Sequence, residues 1–312
     1  MTLLRKINAA LGSATGFQVR RVPRGAAAAA RPGTGRPRTE NRDPDERPSA
    51  PVYRAPANPV VDRLLRRPVF IIAPVRSGST LLRMTLGAHS RLHAPHELHF
   101  RRLEVRSATR LAERSLSLLG LERADLEHLL WDRVLHRELV RSGKSAIVEK
   151  TPGNAFVYRR IAACWPDARF LFLLRHPASV ARSWHEADPA KRDPETAAHD
   201  ALRYLRAVDR ARNELPGHTV RYEELTADPA AALGAVCEFL EIDWEPEMLD
   251  YGRGRAAALG DMEKGLGDWK DKIRTGRVQP GRELPAPDEV PEVLRGICAA
   301  WGYADLVAGS VR

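Results

Sequence analysis

Phe70-Ile71-Ile72-Ala73-Pro74-Val75-Arg76-Ser77-Gly78-Ser79-Thr80-Leu81-Leu82 decides how the rest of the chain is read. Pro68 punctuates its start, and Val69 to Ala73 is a continuous apolar run of strand-forming types. Small and hydroxyl residues follow, and then Leu81, Leu82, Met84 and Leu86 favour a helix. The pattern predicts strand, tight loop, helix. Successive backbone N–H groups at such a helix start form an anion cradle, which the helix dipole reinforces. Gly78 lets the backbone approach an anion closely. Ser77, Ser79 and Thr80 offer hydroxyls, and Arg76 supplies a fixed positive charge. A phosphate site is expected here.

The loop misses the Walker A motif in an informative way. G-x-x-x-x-G-K-[ST] would need Gly at position 73 and Lys at 79, where this chain has Ala73 and Ser79. The absent Lys is the residue that reaches the β- and γ-phosphates of a nucleoside triphosphate. The cation sits instead at Arg76, two residues before the glycine.

The formal net charge of +10 is unevenly placed: residues 1–68 hold 14 Lys+Arg against 5 Asp+Glu, and the remainder 36 against 35. The basicity therefore belongs to the leader. A body without a basic excess argues against generalised nucleic-acid binding and leaves room for a local phosphate pocket. Residues 1–59 read as a leader and 60–312 as the folded domain. Within the leader, Leu3, Leu4, Ile7 and Leu11 recur at helical spacing between basic residues, consistent with a surface-lying amphipathic helix or a transit-like segment over 3–11, or simply with a poorly ordered tail. Residues 23–59, with eight prolines and many arginines, read as disordered linker. The three cysteines, Cys164, Cys237 and Cys298, are far apart and form no C-x-x-C, so neither a disulfide framework nor a zinc site is expected, and a reducing, cytoplasmic location suits them. No apolar run approaches the roughly 20 residues of a membrane span. The basic leader allows peripheral membrane contact.

From Pro68 onward, strands and helices alternate. Strands are expected at Arg91 to Ala94, Ala146 to Val148, Arg169 to Leu174 and His218 to Arg221. Helices are expected up to Cys164, from Pro177, over 195–214 and from Pro229 to Leu240. Continuous apolar strands between helices predict an α/β fold with a mainly parallel sheet covered on both faces. The stretch 98–141 reads as largely helical and as an inserted cap.

A second anion site is expected where the strongest strand ends in Arg175, with Ser183 eight residues on. A Walker B strand would end in Asp to hold magnesium. An Arg at a strand's carboxyl end sits where open α/β sheets bind ligands, and its guanidinium can grip a phosphate by paired hydrogen bonds. Two anion sites without a magnesium ligand favour a doubly phosphorylated nucleotide over a triphosphate.

These residues, taken together, resemble the sulfotransferases that use 3′-phosphoadenosine 5′-phosphosulfate (PAPS), a P-loop-kinase-like α/β family. Arg76-Ser77-Gly78-Ser79-Thr80 resembles that family's 5′-phosphosulfate loop, and Arg175 with Ser183 its 3′-phosphate site. Tyr222-Glu223-Glu224-Leu225 is similar to the element whose Tyr approaches the adenine, and Lys264-Gly265-Leu266-Gly267-Asp268-Trp269-Lys270 resembles the element that closes over the nucleotide. The resemblance implies transfer of a sulfuryl group to a hydroxyl or amine of a glycan, lipid or small molecule. It also implies nucleotide contacts from Arg76 to Leu81 and from Arg175, Ser183, Tyr222, Lys264 and Gly265.

Two departures qualify it. The His that serves as base two residues after the K-T lysine in cytosolic phenol and steroid enzymes is missing, since Lys150-Thr151 is followed by Pro152-Gly153. Glu263 stands where the family usually has Arg. The pattern is nearer the bacterial and Golgi-type branch, in which a Glu after the second strand is the base, and Glu97 in Pro95-His96-Glu97-Leu98-His99 occupies that position. The resemblance thus makes Glu97 the base, with Arg76 and Lys150 stabilising the departing phosphate. The monoanionic sulfuryl group carries less charge than a phosphoryl group, so no divalent metal is expected.

Three rival readings remain at this stage. His89, His93, His96 and His99 form a metal-like constellation, although His96-Glu97-Leu98-His99 is one residue short of H-E-x-x-H. A P-loop kinase would share the loop and sheet but needs Lys at 79 and an acid where Arg175 stands. A non-catalytic, membrane-associated nucleotide-binding protein would use the leader as its anchor.

Overall fold

The computed structural model describes residues 53–56, 58–252 and 271–303. The leader helix expected at 3–11 and the Lys264–Lys270 element, with Lys264 and Gly265, lie outside the described residues. Five strands form one sheet: β1 (Val69–Ile72), β2 (Leu92–His93), β3 (Ala146–Glu149), β4 (Arg169–Leu174) and β5 (His218–Arg221), in the order β2-β3-β1-β4-β5. Every pairing is parallel, with Val69 opposite Val148 on one side, Phe70 opposite Phe170 on the other, and Leu173 opposite Val220.

The uninterrupted apolar runs have a direct physical cause, because both faces of the sheet are covered. Phe70, Ile72, Phe172 and Leu174 enter one core cluster, whereas Val69, Ile71, Leu171 and Leu173 enter the other. The first face is covered by α3 (Arg123–Ser142), α4 (Tyr158–Cys164), α5 (Pro177–Ala187), α6 (Pro194–Glu214) and α9 (Glu292–Ala300). The second is covered by α1 (Ser79–Ala88), α7 (Tyr222–Ala227) and α8 (Pro229–Leu240). Helix starts follow local chemistry: Asp193 accepts from the Thr196 N–H at 2.7 Å and Asp228 from the Ala231 N–H at 3.0 Å, each just before a first-turn Pro.

The stretch 98–141 divides differently from the expected cap. Only α2 (Arg110–Leu118) is peripheral, with no buried residue. Helix α3 belongs to the core layer: Trp131 and Leu135 are fully buried, and Trp131 meets Phe100 at 5.1 Å between ring centroids. Aromatic bulk at these positions outweighs the polar surface of the helix and draws it under the sheet. Tyr53 to Pro56, grouped with the leader by composition, lie against the body: Arg54 donates to the Gly120 carbonyl at 2.7 Å, and Arg160 lies 5.3 Å from the Tyr53 ring centroid. The compact unit that contains every described residue begins at Val52. Among the described residues, no helix is long and apolar enough to cross a membrane.

The strand order places the site. From β1 the chain moves to β2 and β3 on one side, then returns past β1 to β4 and β5 on the other. Helices α1 and α5, which follow the neighbouring strands β1 and β4, cover opposite faces. A crevice therefore opens at the carboxyl ends of β1 and β4, the usual ligand position in open α/β sheets.

Candidate active site

The loop after β1 turns through two left-handed residues, Arg76 (φ 68°) and Gly78 (φ 91°). Gly78 is required twice over, since a Cβ there would also fall 2.3 Å from Cδ2 of Tyr222. Arg76 has no such exemption, and its left-handed backbone costs about 1–2 kcal/mol that the surrounding contacts must offset. Those contacts are present: Arg175 Nη1 donates to the Arg76 carbonyl at 2.9 Å, and Arg76 Nε donates to Ser183 Oγ at 3.4 Å. Helix α1 starts at Ser79 with no side-chain cap, so its first amides carry the anion-binding character of an uncapped N-terminus. The Ser77 hydroxyl donates to the Pro74 carbonyl at 2.8 Å and shapes the loop. Leu81 sinks its side chain into the core and has only its amide to offer.

The second expected anion site adjoins the first. The Arg175 guanidinium lies 4.3 Å from the Tyr222 ring centroid, and Tyr222 in turn packs on Gly78. Burial pushes the Arg175 pKa down, partly opposed by Tyr222 and Glu223. Glu223 holds the turn after β4 by accepting from the His176 N–H at 3.0 Å and from the Tyr303 hydroxyl at 2.7 Å. Arg76, Gly78, Arg175, Ser183 and Tyr222 thus form one connected group around the crevice.

Beside it is a cleft of about 290 Å³ lined by Arg76, Gly78, Ser79, Thr80, Glu97 and Lys150, with His99, Arg101, Gly153 and Tyr204 completing its walls. At its floor the Lys150 ammonium pairs with the Glu97 carboxylate and reaches Thr80 Oγ1 at 3.4 Å. Lys150 is 1% and Glu97 10% exposed. Burial pushes the Lys150 pKa down, and Glu97 opposes that shift. The other Glu97 oxygen faces His99 Nε2 at 3.3 Å. The loop carrying Glu97 is clipped on both sides. Arg83 donates to the Ala94 and Pro95 carbonyls, both at 3.0 Å. The Leu98 and His99 N–H groups donate to Glu149 and Thr151, both at 3.4 Å.

The histidine cluster is dispersed by its partners. His89 Nε2 contacts the Asp243 carbonyl, His93 faces Glu138, and His96 contacts the Glu97 carbonyl. Among the described residues, no three His, Cys, Asp or Glu side chains gather as metal ligands.

Sequence reasoning missed three residues. Glu149, at the end of β3, is fully buried and accepts from the Thr151 hydroxyl at 2.6 Å and from the Asn154 amide. Burial pushes its carboxyl up to about 7. Its place directly before Lys150 was the available signal, since a strand's last residue and the one after it flank the same sheet edge. Arg101 and Tyr204 line the cleft without any motif to mark them.

An uncharacterized protein of Aquifex aeolicus is 27% identical over 230 residues, 64% of this chain and 29% of its own length. The nodulation protein NoeE of Sinorhizobium fredii is 26% identical over 208 residues, 56% of this chain and 50% of its own length. The chain therefore spans half or less of the length of these curated relatives. The solved sulfotransferase domain of the Synechococcus PCC 7002 olefin synthase shares the fold, with a TM-score of 0.55 and 21% identity over 81% of this chain and 99% of that domain. The sequence pattern of the sulfotransferase family matches residues 68–246, from just before β1 through the phosphate loop, Glu97, Lys150, Arg175 and β5. More than half of the chain lies inside that match, and the chain belongs to the sulfotransferase family.

Proposed function

We propose that the protein transfers the sulfuryl group of PAPS to a hydroxyl, or an amine, of an acceptor. The carrying observation is the Glu97–Lys150 pair at the floor of a cleft whose wall is the phosphate loop. A carboxylate and an ammonium held together there can serve the two ends of one in-line displacement. The acceptor oxygen attacks sulfur, and an O–S bond forms as the S–O bond to the 5′-phosphate breaks. The acceptor proton passes to Glu97, and 3′-phosphoadenosine 5′-phosphate leaves with the bonding electron pair. Lys150, Arg76 and the loop amides offset the charge that develops on the leaving oxygen, and being already oriented they need no reorganisation.

The residues present fit the nucleotide. The uncapped start of α1 and Arg76 suit the 5′-phosphate, Arg175 and Ser183 the 3′-phosphate, and Tyr222 the adenine, while Lys264 and Gly265 complete the set by resemblance. His99 steadies the Glu97 carboxylate. On this reading residues 60–312 are the catalytic unit and the leader is separate from the chemistry. The acceptor is a glycan, lipid or small molecule. The three free buried cysteines support a reducing, cytoplasmic setting, where the basic leader would touch anionic membrane surfaces.

Transfer of labelled sulfate from PAPS to a panel of glycan, lipid and phenolic acceptors tests the activity. Calorimetry with 3′-phosphoadenosine 5′-phosphate against ATP plus magnesium separates this reading from a phosphotransferase. Tight binding of the first and none of the second is expected, and the reverse order would overturn the proposal.

A further inference from the structure

Arg101 stands apart from the machinery above. It lies in the short 3-10 turn Phe100–Arg102, four residues after Glu97. Phe100 is fully buried in the aromatic core, and this anchor turns Arg101 into the cleft. The guanidinium lies flat against Gly153: a Cβ at that position would sit 2.4 Å from Nη2, 2.6 Å from Nε and 2.8 Å from Cζ. A residue without a side chain is therefore what makes room for it. Among the described residues, the buried Nε finds no hydrogen-bond acceptor. The charged or ionisable neighbours among the described residues that bear on the group are Arg102 and Tyr204, and neither is a carboxylate.

The other charges of the cleft are already matched. Lys150 pairs with Glu97, Glu97 also faces His99, and Arg76 with the amides of the loop serves the nucleotide. A partly buried guanidinium held in place, with its Nε enclosed and no carboxylate beside it among the described residues, forgoes part of its hydration without a compensating partner. A ligand that supplies the anion compensates that loss, and a guanidinium suits planar or tetrahedral oxyanions through paired hydrogen bonds. Tyr204 stands beside it on the cleft wall, backed by Phe156 at 4.6 Å and Trp184 at 5.6 Å between ring centroids. The wall next to the cation is thus aromatic.

We propose that Arg101 is an acceptor-recognition residue, and that the acceptor is a hydroxy compound bearing an oxyanion, such as a carboxylate, which pairs with this guanidinium while its hydroxyl faces Glu97. This rests on the sulfotransferase reading of the cleft and adds the chemical class of the substrate.

The test uses the full chain saturated with 3′-phosphoadenosine 5′-phosphate, and calorimetry with three matched pairs of probes. These are 3-(4-hydroxyphenyl)propanoate and its methyl ester, 3-hydroxydecanoate and its methyl ester, and methyl glucuronide and methyl glucoside. In at least one pair the acid should bind roughly tenfold to a hundredfold more tightly, as a charge-assisted pair allows, and the preferred pair tells an aryl, fatty or sugar acid apart. Arg101→Met should abolish the preference, and Arg101→Lys should keep part of it. Gly153→Ala, which forces the guanidinium out of its seat without removing the charge, should weaken it as well. Equal affinity within all three pairs would overturn the proposal, as would a preference unchanged in Arg101→Met. Equal loss of labelled-sulfate transfer to acid and ester in Arg101→Met would also overturn it, by assigning the guanidinium to the sulfuryl group. Failure of the nucleotide itself to bind the wild-type chain would instead remove the underlying reading, so the two failures are distinct. Circular dichroism and nucleotide affinity of each variant show whether it is folded.

Discussion

Glu97→Gln perturbs two functions at once, and the geometry gives the size of each. Gln keeps the shape of the side chain but removes the charge that balances Lys150, which is 1% exposed. Breaking a buried ion pair from one side costs about 3–5 kcal/mol, and a pair at the floor of an open cleft belongs near about 3 kcal/mol. Burial already pushes the Lys150 pKa down, and the charge and hydrogen bond of Glu97 oppose it. Without Glu97 the ammonium gives up its proton more readily, and the leaving phosphate loses a cation. Loss of the general base alone lowers turnover by about 10²–10⁴-fold. Turnover in Glu97→Gln should therefore fall at least into that range.

The double variant Glu97→Gln/Lys150→Met separates the two effects. With both charges gone, no buried ion is left unpaired, so the double variant should be more stable than the sum of the single losses by about 1–3 kcal/mol. Its turnover should be close to that of the worse single variant, because both groups serve one transition state. Urea denaturation of the four proteins and single-turnover transfer of labelled sulfate measure these quantities. Additive stabilities would show that the pair is not coupled. Near-normal single-turnover transfer in Glu97→Gln would remove Glu97 as the base and send the search to His99, its neighbour at 3.3 Å.

Arg175→Ala and Ser183→Ala should each weaken binding of 3′-phosphoadenosine 5′-phosphate by about 1–3 kcal/mol, and the loss should be largely absent with adenosine 5′-phosphate, the remainder reflecting their contacts with Arg76; equal losses with both nucleotides would make Arg175 structural. Glu149, whose carboxyl rises from 4.5 to about 7 in the fold, contributes stability that is fully present below pH 4.5 and lost as pH rises through about 7. Unfolding free energies measured from pH 4 to 8 should show the wild type losing about 3 kcal/mol relative to Glu149→Gln across that window, and parallel curves would rule the titration out. A chain starting at Val52 should keep its thermal midpoint and its turnover, whereas one starting at Asn58, which also loses the Arg54–Asp125 pair, should melt slightly lower. If the leader touches membranes, the Val52 start should also lose binding to anionic vesicles, and unchanged binding would refute that role.

What could be read from the sequence was the part set by neighbours in the chain. Val69 to Ala73 announces a strand because its residues feed both covered faces, and the apolar run before Arg175 announces the strand whose carboxyl end that residue follows. Gly78 was read as the place where the backbone meets an anion; its contact with the Tyr222 ring was not legible, because that ring lies far away in sequence and comes near only through the β1–β4–β5 order. Helix α3 was legible as a helix, but its layer was not. Trp131 and Leu135 are buried because Phe100 and Trp165 arrive from other segments, and periodicity shows that a helix has an apolar face without showing which element covers it.

The residues that stayed hidden are all charged or polar groups that the fold encloses. A single sequence assigns Glu149 and Arg101 to the surface because such side chains seldom leave water. Glu149 is enclosed because it ties the Glu97 loop to β3, through the Leu98 N–H and Thr151. Arg101 is drawn inward because Phe100 is anchored in the core and Gly153 leaves room. Each breaks the rule that keeps charge outside, and each lies within a few residues of Glu97 or Lys150. Departures from local consistency concentrate where a site requires them. Burial of charge does not by itself separate site from scaffold, since Arg63, Glu127 and Asp132 are buried too, away from the cleft. What ties Glu149 and Arg101 to the cleft is contact, of Glu149 with the loop that carries Glu97 and of Arg101 with Gly153 on the cleft wall.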